Sequence, residues 1–145
     1  MKKVKMIPIL AIMILVLGAS TSSLAKTENF YGTMYYRVLN GAENNVFYSF
    51  EGDKNITMSG DIKVIDTTNY GGKPNTKHVC LYEKTRWGQG NKICEDSTVA
   101  DYDGKAYSFY ATGKTTNTSD KYYILCYKAA DDGFDIRISG SLTTD

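Results

Sequence analysis

The residues of this chain best suited to chemistry are three cysteines and one histidine, and their spacing limits what they can do. His78 and Cys80 stand two positions apart, Cys94 follows, and Cys126 stands alone. A nucleophilic cysteine needs a thiolate in an electropositive site with a base in hydrogen-bond reach. Two residues separated by one on a strand share a face, but they are set too wide for a direct bond. Structural zinc takes four ligands, usually from close-spaced pairs, and this sequence has no such pairs. With one histidine and no G-x-S-x-G motif, nothing points to a hydrolase triad. The chain is therefore expected not to be an enzyme, and to need no cofactor or metal.

Two acidic stretches offer oxygen ligands. They are Asp101-Tyr102-Asp103-Gly104 and Asp131-Asp132-Gly133-Phe134-Asp135. An EF-hand loop closes on a bidentate glutamate in its twelfth position, where the first stretch has Thr112. Asp-Gly also forms turns without any metal. Turn formation is the expected role; weak calcium binding by Asp101 and Asp103, or by Asp131, Asp132 and Asp135, is the alternative. A glycosidase needs two converging carboxylates, and no spacing here brings two together.

The element that must position Cys80 and Cys94 is the stretch between them. Residues 78–84 and 91–94 flank a tip containing Trp87, Gly88 and Gly90, which reads as a β-hairpin. Trp87 is the only tryptophan. If the strands pair symmetrically about Trp87, Leu81 faces Ile93 and Cys80 faces Cys94. Opposed residues have Cβ atoms roughly 4.5–5.5 Å apart, so a disulfide between Cys80 and Cys94 is the expected pairing. The other two pairings and three free thiols remain the alternatives. A disulfide here would be worth about 3 kcal/mol in the chain-entropy model. A slip of one residue would put the two cysteines on opposite faces. Cys126 is in phase with Ile124 and is expected as a buried free thiol, with an intermolecular disulfide as the sharper alternative.

Residues 1–25 read as a cleavable signal peptide. Lys2, Lys3 and Lys5 precede an apolar run from Met6 to Leu17 that is too short to span a bilayer, and Ser23-Leu24-Ala25 is a small-residue cleavage site. The expectation is a secreted, extracellular protein in an oxidising compartment, with no lasting membrane anchor. Residues 26–145 are one domain in size, and a chain of that length buries about two-thirds of its surface. They hold fourteen of the basic residues and all sixteen acids, for a net charge of −2. The charges are interspersed without a basic run, which makes nucleic acid and anionic membranes poor partners.

Period-two alternation then recurs along the chain. It predicts strands over residues 30–38, 46–51, 56–64, 78–84, 91–94, 106–112, 121–128 and 134–142, with Gly32 and Gly60 as candidate bulges. Both faces of residues 121–128 are apolar, which predicts a central strand. Eight short strands joined by turn residues, with no helical period, predict an all-β, single antiparallel sandwich.

Twelve tyrosines against five phenylalanines is the clearest compositional bias. Tyrosine suits half-exposed strands, so sheet packing alone explains much of it. The functional reading is a contact face of Tyr31, Tyr35, Tyr123, Tyr127 and Trp87, since Tyr and Trp anchor interfaces. Its partner would be an extracellular protein or a cell-wall glycan.

Two resemblances add to this. Tyr82 followed by Trp87-Gly88 resembles part of the βγ-crystallin hairpin signature, with Gln89 where a glycine is usual. More broadly, the signal, the aromatic first strand, Asp103-Gly104 before Ala106-Tyr107-Ser108-Phe109-Tyr110, then Ala129-Ala130-Asp131-Asp132 and the closing Ile138-Ser139-Gly140-Ser141-Leu142 resemble a family of small secreted Gram-positive proteins. Members of that family are often encoded beside bacteriocin-type ABC exporters. The resemblance implies an exported, non-enzymatic, bacteriocin-like or bacteriocin-associated role. The residues alone support a secreted interaction protein, with a cell-wall or glycan-binding module as the first alternative and a small hydrolase as the second.

Overall fold

Alternating apolar residues build two antiparallel sheets that close face to face. The computed structural model describes residues 24–145; the predicted signal peptide lies outside them, apart from Leu24 and Ala25. The strands are β1 (Lys26–Met34), β2 (Val38–Asn40), β3 (Tyr48–Ser49), β4 (Asn55–Thr67), β5 (Lys77–Thr85), β6 (Gly88–Thr98), β7 (Ala106–Lys114), β8 (Lys121–Tyr127) and β9 (Phe134–Thr144). One sheet runs β1-β9-β4-β7 and the other β2-β8-β5-β6, with β3 also paired to β8. The predicted all-β sandwich is the fold observed, and β8 is central as its two apolar faces require.

The inward faces explain the closure. Phe30, Met34, Ile56, Met58, Ile62, Phe109, Ile136, Ile138 and Leu142 from the four-stranded sheet meet Val79, Leu81, Cys94, Tyr122, Ile124 and Cys126 from the other. All of them are buried.

The predicted first strand is two strands. Tyr35, Tyr36 and Arg37 are exposed and leave the ladder, so β1 lies in one sheet and β2 in the other. Arg37 fixes this crossover: its carbonyl accepts from the Lys128 N–H at 2.9 Å, and its guanidinium donates to the Ala129 carbonyl at 2.7 Å. The second predicted strand shrinks to Tyr48–Ser49. β6 runs on to Thr98, past the predicted strand end at Cys94.

Gly32 and Gly60 are not bulges. The ladder is unbroken at both, and the irregularity in β4 falls between Val64 and Asp66. Gly60 lies opposite Gly140, and a Cβ on it would come within 2.2 Å of the Ser139 carbonyl oxygen. Close backbone approach, not a kink, requires glycine there.

A buried ionic cluster ties the sheets together at one end. Lys77 opens β5, Lys128 follows β8, and Asp132 precedes β9; both lysine side chains are fully buried. Lys77 Nζ lies 2.8 Å from Asp132 Oδ2, and Lys128 Nζ contacts Asp132 Oδ1 and donates to the Phe134 carbonyl at 2.9 Å. Burial opposes the ionisation of Asp132, but bonds from Lys128, Lys77 and the Asn75 and Phe134 N–H groups outweigh it and hold the carboxyl well below its usual range. Burial pulls the Lys77 ammonium below its ordinary value despite this partner, as expected where two ammonium groups share one carboxylate.

Candidate functional site

The hairpin register decides which side chains share a surface. β5 and β6 turn at Arg86 and Trp87, with Thr85 opposite Gly88, whose φ is 125°. Two irregularities follow, on either side of the Tyr82–Lys92 pair. At the first, the Asn91 N–H is given not to the ladder but to the Glu83 carboxylate, 3.0 Å away. Beyond them Leu81 faces Cys94 and Cys80 faces Glu95.

This corrects the disulfide. Cys80 and Cys94 lie on opposite faces of the sheet, and all three cysteines are free and buried. Burial pushes the Cys80 and Cys126 thiols up to about 12, and that of Cys94 up to about 11. None is a nucleophile poised for neutral pH. The same register separates Cys94 from the His78 and Cys80 face, and among the described residues no cluster of three His, Cys, Asp or Glu could hold a metal ion. Asp132 is held by two lysines, while Asp103 accepts from the Lys105 N–H at 3.0 Å and the Tyr107 hydroxyl at 2.9 Å.

On the outward side of the five-stranded sheet, alternation assembles three rows. Val38, Tyr127, His78 and Ser97 lie side by side across β2, β8, β5 and β6. Asn40, Leu125, Cys80 and Glu95 form the middle row, and Tyr123, Tyr82 and Lys92 the third. The rings pack against one another. His78 and Tyr127 are near-parallel with centroids 4.8 Å apart. Tyr82 and Tyr123 are near-parallel at 5.9 Å, and Phe47 meets Tyr123 edge-on at 6.4 Å. Cys80 beneath them is fully buried and Tyr123 is 3% exposed, although no second layer covers this face.

Polar groups sit within the rows. His78 Nδ1 lies 2.9 Å from Glu95 Oε1, and the Lys92 ammonium contacts the other Glu95 oxygen. The Lys92 bond holds the Glu95 carboxyl below its ordinary value; burial opposes it and the His78 bond assists. Burial raises the Tyr123 and Tyr127 hydroxyls. At the hairpin tip Trp87 is 89% exposed, with the Arg86 guanidinium 5.3 Å from its ring.

A cleft of about 50 Å³ opens between the sheets beside Phe30, Leu39, Val46 and Tyr48. No acid, histidine or cysteine lines it. The outer face offers ring surfaces, hydroxyls and one neutralised ion cluster, which suit binding better than bond cleavage.

No protein-family model and no curated protein matches the sequence. Solved structures do match by shape. The shared feature is the β-sandwich fold. A CBM4 structure superposes with a TM-score of 0.51 at 12% identity, covering 83% of this chain and 78% of that one. The CBM22-1 xylan-binding domain of Paenibacillus barcinonensis Xyn10C gives 0.43 at 11%, covering 84% and 81%. The CBM22-1–GH10 modules of Clostridium thermocellum Xyn10B, complexed with xylohexaose, give 0.45 at 14%, and the match covers 68% of this chain but only 18% of that one.

On this sandwich the five aromatic residues singled out in the sequence scatter. Tyr123 and Tyr127 share the outer face of the five-stranded sheet. Tyr31 lies on the outer face of the other sheet, its ring 5.9 Å from the Arg137 guanidinium. Tyr35 sits in the crossover, 61% exposed. Trp87 stands at the end of the β5–β6 arm. Sequence reasoning missed Tyr82, His78 and Phe47 as members of the face. The alternation of His78, Cys80 and Tyr82 was a usable signal for two of them; the pairing of β5 with β8 was not visible.

Proposed function

We propose that this protein is a non-catalytic carbohydrate-binding module whose ligand lies across the outer face of the five-stranded sheet. The observation that carries this reading is the set of near-parallel rings, Tyr82 with the buried Tyr123 and His78 with Tyr127, whose half-buried members Tyr82, His78 and Tyr127 reach the surface on one face. An apolar surface of this kind marks a partner site. Pyranose rings present apolar faces bordered by hydroxyls, and the tyrosine hydroxyls, Asn40 and the His78–Glu95 pair offer complementary donors and acceptors. The similarity of fold to carbohydrate-binding modules supports the same reading. The bacteriocin-associated role rests on the sequence resemblance alone.

Retention of the purified protein on xylan, β-glucan and peptidoglycan tests it. We expect one of these to retain the protein. Tyr82→Ala should weaken that binding by about 30-fold, the loss of a hot-spot aromatic worth ~2 kcal/mol. Absence of retention on all three, or retention that Tyr82→Ala leaves intact, would refute the proposal.

A further inference from the structure

The aromatic face is neutral at one end and basic at the other, and the difference bears on the kind of glycan. In the middle of the face the charges are paired: Lys92 and His78 both meet Glu95. Beyond Tyr82 and Tyr123 they are not. The β5–β8 register pairs Glu83 with Tyr122, so its next step sets Lys84 opposite Lys121, in phase with Tyr82 and Tyr123. Ser119 fastens this step, its Oγ lying 2.6 Å from the Lys84 carbonyl oxygen and 3.0 Å from that of Lys121. Arg86 follows at the tip, against the exposed ring of Trp87.

Among the described residues, no carboxylate lies within ion-pair distance of Lys84, Arg86 or Lys121. Asp120, next to Lys121 in the chain, makes no ion pair with it. Glu83 alternates to the other side of the sheet, where Asn91, Thr116 and Thr118 saturate its oxygens. In a domain of net charge −2, three unpaired cations beside two aromatic stations form a local exception.

We infer that the ligand is an acidic polysaccharide bearing a carboxylate on its sugar units, with pyranose faces on Tyr82 and Trp87 and carboxylates on Lys84, Arg86 and Lys121. This rests on the carbohydrate-binding reading above. The chemistry alternates as such a chain does: an apolar ring face, then an anionic group, repeated toward the tip. The Arg86 guanidinium suits a carboxylate because its planar fork can donate two parallel bonds. Single-stranded nucleic acid also combines rings with anions, but it needs a continuous basic groove. Here Lys92, the cation further along the face, is already neutralised by Glu95, so no continuous basic groove runs beyond the tip.

Binding of polygalacturonate, neutral xylan and oligothymidylate by the wild-type protein and by the triple variant Lys84→Gln/Arg86→Gln/Lys121→Gln separates the possibilities. At roughly 20 mM salt, where screening is weak, polygalacturonate should bind at least about tenfold more tightly than xylan, and the advantage should vanish near 500 mM. The triple variant should lose that advantage while its affinity for xylan is unchanged. Equal affinity for polygalacturonate and xylan, indifferent to salt, would overturn this inference and leave the carbohydrate-binding reading standing. Oligothymidylate bound more tightly than polygalacturonate would overturn it in favour of a nucleic-acid site. Binding to none of the three would overturn this inference, and would overturn the reading beneath it as well if β-glucan and peptidoglycan also fail to retain the protein.

Discussion

The two outer faces of this sandwich obey the same alternation and rest on the same core, yet they present opposite surfaces. The four-stranded sheet shows water hydroxyls and charges: Thr27 beside Thr143 at 3.1 Å, Ser108 donating to Asp61 at 2.7 Å, and Tyr31 under Arg137. Its outward side chains are mostly exposed. The five-stranded sheet presents Tyr82, Tyr123, Tyr127, His78 and Leu125, which bury one another and Cys80 without any covering layer. Folding needs only the inward faces to be apolar. The half-buried rings on the second outward face therefore exceed what the fold requires, and a packed aromatic surface with no layer over it points to a partner.

The largest expected effect removes both faces together. Asp132 holds Lys77 and Lys128 of the five-stranded side and accepts from the Phe134 N–H at the start of β9. Asp132→Ala would leave two buried ammonium groups without a carboxylate, and should cost about 3–5 kcal/mol of stability in urea unfolding. The pH dependence follows from the depressed carboxyl. Its stabilisation is present above the unfolded value, about pH 4, and is lost as pH falls toward the folded value. The unfolding midpoint should therefore fall between pH 5 and pH 3 in the wild-type protein, and fall less steeply in Asp132→Asn. A midpoint that the alanine variant leaves unchanged would mean that this cluster does not join the sheets.

The limits of sequence reading follow from the same two faces. Alternation reports which residues of one strand point the same way, so the core positions Ile56, Met58, Ile62, Ile136 and Ile138 were all legible. It does not report which sheet a strand joins. Tyr31 and Tyr123 therefore looked like members of one contact face, when β1 and β8 lie in different sheets. The sheet change at Tyr35 to Arg37 interrupts no apolar pattern and left no signal. The disulfide failed for a more local reason. Symmetric pairing about Trp87 holds at Tyr82 and Lys92, but Ile93 is passed over in the ladder and Leu81 pairs with Cys94 instead. The Ile93 carbonyl lies against Gly113 of β7, where a Cβ would come within 2.3 Å of it, and such a contact between distant strands leaves no mark in the hairpin's own sequence.

That slip can be measured on the thiols, with a smaller effect on stability. Cys80 belongs under the aromatic face and Cys94 in the core. Native protein should expose no reactive thiol to an aqueous thiol reagent, three should react in denaturant, and reduction should leave the mass unchanged. Cys80→Ala, which removes one buried sulfur, should cost about 1–2 kcal/mol, at the low end for large-to-small changes because the group lost is small. A two-dalton gain on reduction, with only one thiol reacting in denaturant, would restore a disulfide and erase the register on which the three rows stand.

The smallest effect is the sharpest test of the contrast between faces. Tyr31 is as aromatic as Tyr82 and more exposed, at 66%. Its ring borders a polar surface, with the Arg137 guanidinium as its cationic neighbour. If outward tyrosine were sufficient for binding, Tyr31→Ala and Tyr82→Ala would weaken glycan retention alike. If the assembled rows are what binds, Tyr31→Ala should leave retention unchanged and alter stability by less than about 0.5 kcal/mol, as surface substitutions usually do. Parallel isothermal titrations of the two variants against the retained polysaccharide measure this directly. Equal losses would spread the site over both faces, and the distinction between a hydrated sheet and a binding sheet would fall.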